Sequence, residues 1–321
     1  MQQELGVTST TDHVLQGIDL AGKRILVTGA SAGLGIETCR ALVAGGADVV
    51  GAVRDLGKGR IATQAVAAAA KVSGSNFSLI ELDLASLDSV RRCADALISA
   101  GAEFDVVIAN AGVMMTPFGH TADGFETQFG TNHLGHFLFI NRIASLLREN
   151  GRVVVLSSAA HRFADFSLDD LNFEHTSYDP GLAYSRSKTG NALFAVEFDR
   201  RHREGGRCAV AVHPGAIMDT DLARHMTKEE VQGMLDGVAS RSANTGTPPF
   251  FMKTIPQGAA TSVWAAVVAE ADVIGGRYCE DCHVAKVLDD DGLVGVRSYA
   301  LDAEHAEALW KLSESFVGET F

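Results

Sequence analysis

Short apolar runs alternate with longer segments of helical periodicity along the first two thirds of the chain. The apolar runs are R-I-L-V-T (24–28), D-V-V-G-A-V (48–53), F-S-L-I-E (77–81), V-V-I-A (106–109), R-V-V-V-L-S (152–157) and C-A-V-A-V-H (208–213), and the helical segments are 34–45, 58–72, 87–100, 123–149 and 182–204. Nearly continuous apolar runs are typical of strands that are buried on both faces of a parallel sheet. The alternation therefore predicts an α/β protein with a doubly wound parallel sheet and helices on both faces.

The pattern loosens in the last third of the chain. Residues 214–255 hold P-G-A-I-M-D-T-D-L, a Met-rich helical stretch and S-A-N-T-G-T-P-P-F-F-M, which indicates an insertion that covers a site as a lid. A further helix is predicted at 256–270 and a last strand at 277–279. No linker interrupts the strand–helix pattern, so residues 20–321 are predicted to form one domain, preceded by a flexible polar lead-in at 1–19.

The composition limits the classes of function. The chain has 321 residues, 46% of them hydrophobic, and a formal net charge of −13. An acidic chain argues against binding to a nucleic-acid backbone, which needs clustered Lys and Arg. The most apolar run, A-V-A-A-A-A at 65–70, is far shorter than the ~20 residues that cross a bilayer, so no membrane span is expected. The N-terminus lacks the basic region followed by an apolar one that marks a secretion signal. The odd number of cysteines is typical of free thiols in a reducing compartment. A cytoplasmic protein is therefore predicted.

A glycine-rich segment, T-G-A-S-A-G-L-G, follows the first predicted strand and opens the next helix. Its glycines, Gly29, Gly33 and Gly35, allow a sharp turn and a close approach of the backbone to a pyrophosphate. The helix N-terminus adds free N–H groups and the positive end of the helix dipole. A glycine trio alone would be a plain turn, but its place between a strand and a helix predicts a dinucleotide-binding loop.

The segment Y-S-R-S-K carries the candidate chemistry. Tyr184 and Lys188 lie four residues apart, so a helix places them on one side. Taken alone, such a pair is usually a solvated helix face. The preceding strand, however, ends at Leu156-Ser157-Ser158, and ligands of doubly wound sheets gather at the carboxyl ends of strands. Tyr184 is therefore expected in the same crevice as Ser158.

Three motifs occur together and in order: G-x-x-x-G-x-G from Gly29, N-A-G at 110–112 and Y-x-x-x-K at 184–188. With them, from about residue 20 to about residue 300, the chain resembles the short-chain dehydrogenase/reductase family, whose fold is a Rossmann-type doubly wound sheet. Further segments look most like the retinol-dehydrogenase-like members of that family. These segments are T-N-H-L-G-H-F (131–137), S-S-A-A-H (157–161), G-L-A-Y-S-R-S-K, H-P-G (213–215) and Y-C-E-D-C (278–282).

The resemblance implies catalytic roles for four residues. Tyr184 is the acid/base that protonates the oxygen when a carbonyl accepts hydride. Lys188, together with a positive nicotinamide ring, is expected to lower the pKa of this phenol, which is ordinarily about 10. Ser158, the second serine of the strand end, would hold the substrate oxygen, whereas Ser157 would cap or pack. Asn132 would bend its helix and hold a water that passes protons to the lysine, although an Asn that bonds its own backbone also bends a helix.

The implied cofactor site comprises Gly29, Ser31, Gly33, Leu34, Gly35, Arg54, Asp83, Leu84, Asn110, Ala111, Gly112, Tyr184, Lys188, Pro214, Gly215 and Thr220. Where the family carries an acid that selects NAD, this chain has Val53 followed by Arg54. A guanidinium can clamp a phosphate, so NADP(H) is predicted; NAD(H) stays the alternative if Arg54 only stacks on adenine or faces solvent. Asp83 would bond the adenine or hold a turn. A backbone group could replace Thr220, because the run after H-P-G is one residue longer than usual.

Apolar side chains in the loops after strand ends predict an apolar substrate pocket, with packing of these loops on the body as the alternative. The residues are Met114, Met115, Phe118, Phe163, Phe166, Met218, Met226, Phe250, Phe251 and Met252. Cys279 and Cys282 have no second ligand pair at a distance, so no metal site is predicted and both are expected to be ordinary cysteines.

These expectations combine in an NAD(P)(H)-dependent oxidoreductase that moves a hydride between its cofactor and a small apolar alcohol or carbonyl, with tyrosine as the acid/base. Two alternatives stay open. One is a non-catalytic dinucleotide-sensing protein on the same fold, and the other is a reductase of a carbon–carbon double bond that uses the same Tyr and Lys. Pairing through the two long predicted helices, 123–149 and 182–204, would give a homodimer or a homotetramer.

Overall fold

The computed structural model describes residues 4–165, 167–245 and 251–321 of the chain. Phe166 and Phe250, two of the predicted pocket residues, lie outside the described residues. The strands are β1 (Arg24–Thr28), β2 (Asp48–Val53), β3 (Phe77–Glu81), β4 (Phe104–Ala109), β5 (Leu147–Leu156), β6 (Cys208–His213), β7 (Tyr278–Glu280) and β8 (His283–Val284). The α-helices are α1 (Thr11–Val14), α2 (Gly33–Ala44), α3 (Leu56–Ala62), α4 (Gln64–Ser73), α5 (Leu87–Ser99), α6 (Thr127–Phe129), α7 (Gly135–Arg142), α8 (Pro180–His202), α9 (Lys228–Thr245), α10 (Ile255–Val267), α11 (Ala271–Ile274) and α12 (Ala303–Val317). Over these described ranges, none of the helices is long and apolar enough to cross a membrane.

In the described part of the chain, eight strands form one sheet in the order β3-β2-β1-β4-β5-β6-β7-β8. Strands β1 to β7 pair in parallel with their neighbours, and the short β8 pairs antiparallel with β7. The predicted α/β fold, a Rossmann-type doubly wound sheet, is thereby confirmed. The chain winds outward in opposite directions from the neighbours β1 and β4, so a crevice opens at the carboxyl ends of these two strands.

Successive residues of the central strands enter different hydrophobic cores. In β1, Leu26 packs into the core that includes residues of α5, α7, α8 and α12, whereas Ile25 and Val27 pack into the core that includes residues of α2 and α10. All three side chains are fully buried. This burial on both faces explains why the strands read as continuous apolar runs rather than alternating ones. The ends of the strands, and not the faces of the sheet, are then where a ligand can bind.

The prediction of one continuous helix over 123–149 is wrong. The segment contains α6, a π-helical turn at Gly130–Leu134, α7 and a 3₁₀ turn at Ala144–Leu146. Strand β5 then begins at Leu147, earlier than predicted, because Leu147 pairs with Phe104 of β4. Sheet pairing here overrides the helical periodicity of the sequence.

Helix α8 carries the predicted catalytic pair and lies inside the molecule. Asp179 caps its first turn by accepting hydrogen bonds from Gly181 N and Leu182 N. Pro180 occupies the start of the helix, where an N–H would have no partner. From residue 183 to residue 199 each side chain is buried or half-buried. The helix therefore holds its side chains in a fixed environment.

Helix α12, which the sequence analysis did not predict, covers α8. The rings of Phe194 and Trp310 stack with 5.7 Å between their centroids and an interplanar angle of 4°. Both residues are buried. The chain's own C-terminal helix thus covers part of the predicted pairing surface on α8, whose side chains are buried or half-buried from residue 183 to residue 199.

The N-terminal segment is packed against the body over the residues that the structure describes. Thr11 and Val14 of α1 are buried. The Thr11 hydroxyl donates a hydrogen bond to the carboxylate of Glu37 in α2. The flexible lead-in expected at 1–19 therefore does not describe α1, which the sequence pattern is too short to reveal.

Candidate active site

A cavity of about 1350 Å³ opens at the carboxyl ends of β1 to β6. The residues predicted to bind cofactor or to act in catalysis all line it except Gly35 and Asn132, which lie directly behind its wall. The fold thus brings together residues that are far apart in sequence, such as Gly29, Arg54 and Tyr184. The volume exceeds the roughly 300–1,000 Å³ of a pocket for one drug-sized ligand. It leaves space for a dinucleotide and a second molecule.

The glycine loop presents its backbone to the cavity. Gly29 and Gly33 have positive φ angles of 68° and 47°, which glycine adopts at little cost. A Cβ at Gly35 would lie 2.1 Å from the Gly29 carbonyl oxygen, so only glycine fits there. The residue before α2 is Ala32, whose side chain caps none of the first N–H groups of the helix. Those groups are left for an anion, and the loop therefore fits a dinucleotide pyrophosphate.

The N-A-G segment after β4 is bonded to the glycine loop. Asn110 Nδ2 donates to Thr28 O (2.9 Å), and Ala111 N–H donates to Thr28 Oγ1 (3.0 Å). A Cβ at Gly29 would lie only 2.8 Å from Ala111 Cα. These contacts fix the ends of β1 and β4 against each other, so the segment does more than end a strand.

Arg54 and Asp83 line the cavity after β2 and β3. Arg54 is exposed. The next carboxylate, Asp55, caps α3 by accepting a hydrogen bond from Lys58 N (3.0 Å), and is thereby turned towards that helix. Asp83 Oδ1 accepts from Ala85 N (3.0 Å), which is the turn role that was the alternative for this residue. The cationic side chain at 54 is thus next to the cavity, while the acid at 55 is already engaged.

Tyr184 and Ser158 lie close together at the cavity wall, where the Ser158 hydroxyl acts to lower the pKa of the phenol. Tyr184 is 7% exposed. Ser158 Oγ also accepts a hydrogen bond from Ala160 N (3.2 Å), which restrains the orientation of its side chain. Ser157 instead donates to the main-chain oxygen of Lys188 (2.8 Å). Of these neighbouring serines, one meets the phenol and the other ties the end of β5 to α8.

Lys188 is buried, and its Nζ donates to Leu156 O at the end of β5 (2.9 Å). The same oxygen accepts from Asn191 Nδ2 (3.0 Å). Lys188 Nζ lies 5.7 Å from the centre of the Tyr184 ring. Burial lowers the pKa of Lys188 to about 8, because a charged ammonium is poorly solvated there.

The chain's own groups give the Tyr184 pKa a net upward shift; the predicted lowering requires Lys188 together with a positive nicotinamide ring and stays a prediction. Burial raises the pKa of this phenol to about 12, and the neighbouring Ser158 hydroxyl offsets only part of the rise. The ammonium of Lys188 is directed at Leu156 O. Desolvation of the phenolate therefore outweighs the nearby charge, and Tyr184 is protonated at neutral pH.

Asn132 lies in the π-helical turn, behind Gly112. Its Oδ1 accepts from Val113 N (2.8 Å), while its Nδ2 donates to Val113 O (2.9 Å) and to Ser187 Oγ (3.0 Å). Its main-chain oxygen accepts from Nδ1 of His136 (2.9 Å). The side chain thus joins the loop after β4 to α8 instead of bonding its own backbone. The bend predicted at this position coincides with the π-helical turn.

Much of the remaining wall is apolar. The predicted pocket residues that line it are Met114, Met115, Phe163, Met218 and Met226. Three others, Phe118, Phe251 and Met252, are exposed and do not line it. Thr220, which begins the turn before α9, packs against the glycine loop. A Cβ at Gly33 would lie 3.1 Å from Thr220 Cγ2. Segment 214–245 therefore contacts the nucleotide end of the cavity as well as its apolar end.

Sequence reasoning missed several apolar residues of the wall. They are Leu182, Leu222, Met234, Leu235, Val238 and Leu293. On α9, Glu230, Met234, Val238 and Arg241 all line the cavity. Their spacing of three or four residues is the helical signal that identifies the inward side of this Met-rich segment.

Cys279 in β7 and Cys282 in the turn between β7 and β8 are buried free thiols. Burial raises the pKa of Cys279 to about 12 and that of Cys282 to about 11. Such thiols stay protonated at neutral pH and react poorly. Across the ranges that the structure describes, no cluster of three or more His, Cys, Asp or Glu side chains could hold a metal ion.

A glycine loop that fits a pyrophosphate and a Tyr, Ser and Lys set on the same cavity define a nicotinamide-dependent oxidoreductase. A family model described as short chain dehydrogenase matches residues 23–231. Retinol dehydrogenase 14 from Homo sapiens is 38% identical over 311 residues, which cover 92% of this chain and 87% of that protein. Oxidoreductase calI from Penicillium decumbens is 35% identical over 334 residues, which cover 96% of this chain and 92% of that protein.

A solved structure resembles nearly the whole chain. The crystal structure of a putative uncharacterized protein from Mycobacterium Paratuberculosis superimposes with a TM-score of 0.72 and 34% identity, covering 96% of this chain and 98% of that one. The chain belongs to the short-chain dehydrogenase/reductase family, in its retinol-dehydrogenase-like branch. The resemblance read from the sequence motifs is thus confirmed.

Proposed function

We propose that the protein uses NADP(H) to interconvert an apolar alcohol and its carbonyl compound, with Tyr184 as the acid/base. The observation that carries the proposal is that Tyr184, Ser158 and Lys188 line the same cavity as the glycine loop. A nicotinamide held by that loop would supply or take up the hydride. The methionines and phenylalanine of the wall support an apolar substrate.

Each side chain of the set has a distinct task in reduction. Tyr184 donates its phenolic proton to the oxygen that becomes a hydroxyl, and its raised pKa keeps that proton in place at neutral pH. Ser158 holds the same oxygen within reach of the phenol. Lys188, with a pKa of about 8, is mainly cationic at neutral pH and favours the phenolate that remains after the transfer.

The proposal is tested by mixing the purified protein with NADPH and a panel of apolar aldehydes and ketones, including α,β-unsaturated ones. NADPH oxidation is followed by absorbance, and the products are identified. We expect alcohols, with allylic alcohols from the unsaturated carbonyls. Saturated carbonyl products would instead assign the protein as a reductase of carbon–carbon double bonds. NADPH binding without turnover of any compound would favour a dinucleotide sensor.

Arg54 is expected to select the phosphorylated cofactor. Replacing Arg54 with glutamine should weaken NADPH binding by about tenfold to 100-fold, because a hydrogen bond to a charged group contributes roughly 1.5–3 kcal/mol. Binding of NADH should hardly change. The dissociation constants are measured by titrating cofactor fluorescence. Lys58→Gln is the matched control, since Lys58 is also exposed but does not line the cavity. Equal weakening for both cofactors in Arg54→Gln, or equal affinities in the wild type, would contradict the selection of NADP(H).

A further inference from the structure

The peptide unit that joins Ser158 to Ala159 is held on both sides by histidine side chains. Ala159 N–H donates to Nδ1 of His213 (3.2 Å). Nδ1 of His161 is 2.7 Å from Ser158 O, and since a carbonyl oxygen only accepts, this Nδ1 donates. His161 and His213 together are called the two-histidine clamp. The clamp restrains the carbonyl and the N–H of one peptide plane.

The hydrogen bonds require opposite tautomers of the two rings. Arg297 N–H donates to Nε2 of His161 (3.2 Å), so the proton of that ring is on Nδ1. Nδ1 of His213 accepts from Ala159 N–H, so its proton is on Nε2. Protonation of His161 would place an N–H opposite the Arg297 N–H, and protonation of His213 would place one opposite the Ala159 N–H. The clamp therefore exists only with both rings neutral.

The surroundings favour the neutral rings. Burial lowers the pKa of His161 to about 4, and the cations of Arg162 and Arg297 act in the same direction. Burial lowers the pKa of His213 to about 3; Lys253 adds to this shift and Asp281 opposes it. Both imidazoles are therefore uncharged at neutral pH, as the two tautomers require.

Ser158 gains its orientation from this peptide unit. Its Oγ accepts from Ala160 N, the next amide along the turn, and meets the phenol of Tyr184. A shift of this peptide unit would change the backbone torsions at Ser158 and Ala159, and with them the position of Ser158 Oγ relative to Ala160 N. We infer that His161 and His213 are positioning residues that hold the Ser158 hydroxyl against Tyr184 and the substrate oxygen. The inference rests on the proposed function, because it gives Ser158 its role in that reaction.

His161 also joins the serine to the far wall of the cavity. Its main-chain oxygen accepts a hydrogen bond from the Tyr299 hydroxyl (2.5 Å). The neighbouring Arg162 donates to Gly292 O (2.8 Å), next to Leu293 of the cavity wall. The loop that places Leu293 and the turn that places Ser158 therefore share one anchor. His161 itself does not line the cavity, so replacing it changes no direct contact with a ligand.

The tautomers are measured first, because they do not depend on activity. NMR of protein with isotopically labelled histidine, assigned with the His161→Gln and His213→Gln variants, reports which ring nitrogen carries the proton. We expect Nδ1–H for His161 and Nε2–H for His213 at neutral pH. The same tautomer in both rings, or a cationic ring in either, overturns the clamp.

Turnover is measured next. The rate is divided by the concentration of protein that binds cofactor, so that unfolded protein does not lower the value. In His161→Gln it should fall by about tenfold to 100-fold, as a displacement near 1 Å at a reacting group does, with little change in KM. His161→Asn should keep most of the activity, because asparagine Nδ2 occupies the donor position of imidazole Nδ1. His133→Gln is the control, since it removes a buried imidazole that bonds Ser313 Oγ (2.9 Å) and does not line the cavity. It should lower the unfolding temperature but not the turnover per site.

The outcomes separate the clamp from the proposed function. The clamp is overturned if His161→Gln turns over at the wild-type rate. It is also overturned if His161→Asn loses as much turnover as His161→Gln, because a donor at the position of Nδ1 then has no special effect. A wild-type protein that reduces no carbonyl compound refutes the proposed function, and the two tautomers then decide alone whether the clamp exists.

Discussion

Replacing Tyr184 with phenylalanine is expected to reduce turnover by about 10²- to 10⁴-fold, the usual contribution of a positioned general acid. The variant lacks only the hydroxyl that meets Ser158, and the ring keeps its buried position on α8. Hydride could still reach the carbonyl carbon, but the oxygen would have no proton donor other than water. The loss should therefore appear in kcat, with a much smaller change in cofactor affinity.

Stability and cofactor binding provide the checks on this result. Loss of the hydroxyl removes at most one hydrogen bond, so the free energy of unfolding should change by no more than about 1 kcal/mol. Tyr178→Phe is the matched control: its hydroxyl bonds Thr116 O (3.0 Å) and Gln128 Nε2 (3.0 Å), and it does not line the cavity. This variant should turn over at the wild-type rate. Wild-type turnover in Tyr184→Phe would remove the phenol from the reaction.

The central sheet is the part of the fold that the sequence predicts best. Strands β1, β2, β3 and β6 begin and end where their apolar runs do. In these strands the local preference and burial on both faces favour the same conformation. Strand β5 differs, because Leu147 enters the sheet by pairing with Phe104, a contact that no local pattern specifies. The docking of α12 on α8 through Trp310 and Phe194 is likewise a long-range contact.

The sequence predicts the members of the site better than their chemistry. Motif order and strand ends suffice to place Gly29, Ser158 and Tyr184 on one cavity. The direction of the Tyr184 pKa is not predictable in this way, because it depends on the depth of burial and on where Lys188 Nζ points. The contacts of the histidines in S-S-A-A-H and H-P-G are not predictable from the sequence either. They depend on the orientation of one peptide plane.

The buried Lys188 connects the stability of the protein with its proposed chemistry. Its folded pKa of about 8 lies below the ordinary 10.5, so the folded chain releases this proton before the unfolded chain does. Below pH 8 both forms are charged, and burial of the ammonium destabilises the folded state in full. Between pH 8 and pH 10.5 the lysine is neutral in the folded chain but still protonated in the unfolded chain. The free energy of unfolding therefore rises with pH over this range. A site selected only for stability would have an apolar residue here.

Replacing Lys188 with methionine should therefore raise the free energy of unfolding at neutral pH, on the order of 2 kcal/mol, because the cost of burying the charge is removed. Leu156 O would not be left unpaired, since Asn191 Nδ2 still donates to it. Turnover should fall by about 10²-fold or more, because the phenolate of Tyr184 loses the neighbouring cation. Stability is measured by denaturant unfolding at several pH values. The wild-type curve should approach that of the variant between pH 8 and 10.5, where the wild-type lysine loses its charge.

Lys311→Met is the control for this experiment, because Lys311 is exposed and pairs with Glu307 on the surface of α12. An exposed ion pair contributes roughly 0–1 kcal/mol, so this variant should unfold nearly as the wild type does and keep its turnover. Comparing variant with wild type at each pH cancels the titration of the buried thiols and phenols, which is common to both. A Lys188→Met protein that is less stable than the wild type at neutral pH would contradict the expected cost of burying the ammonium.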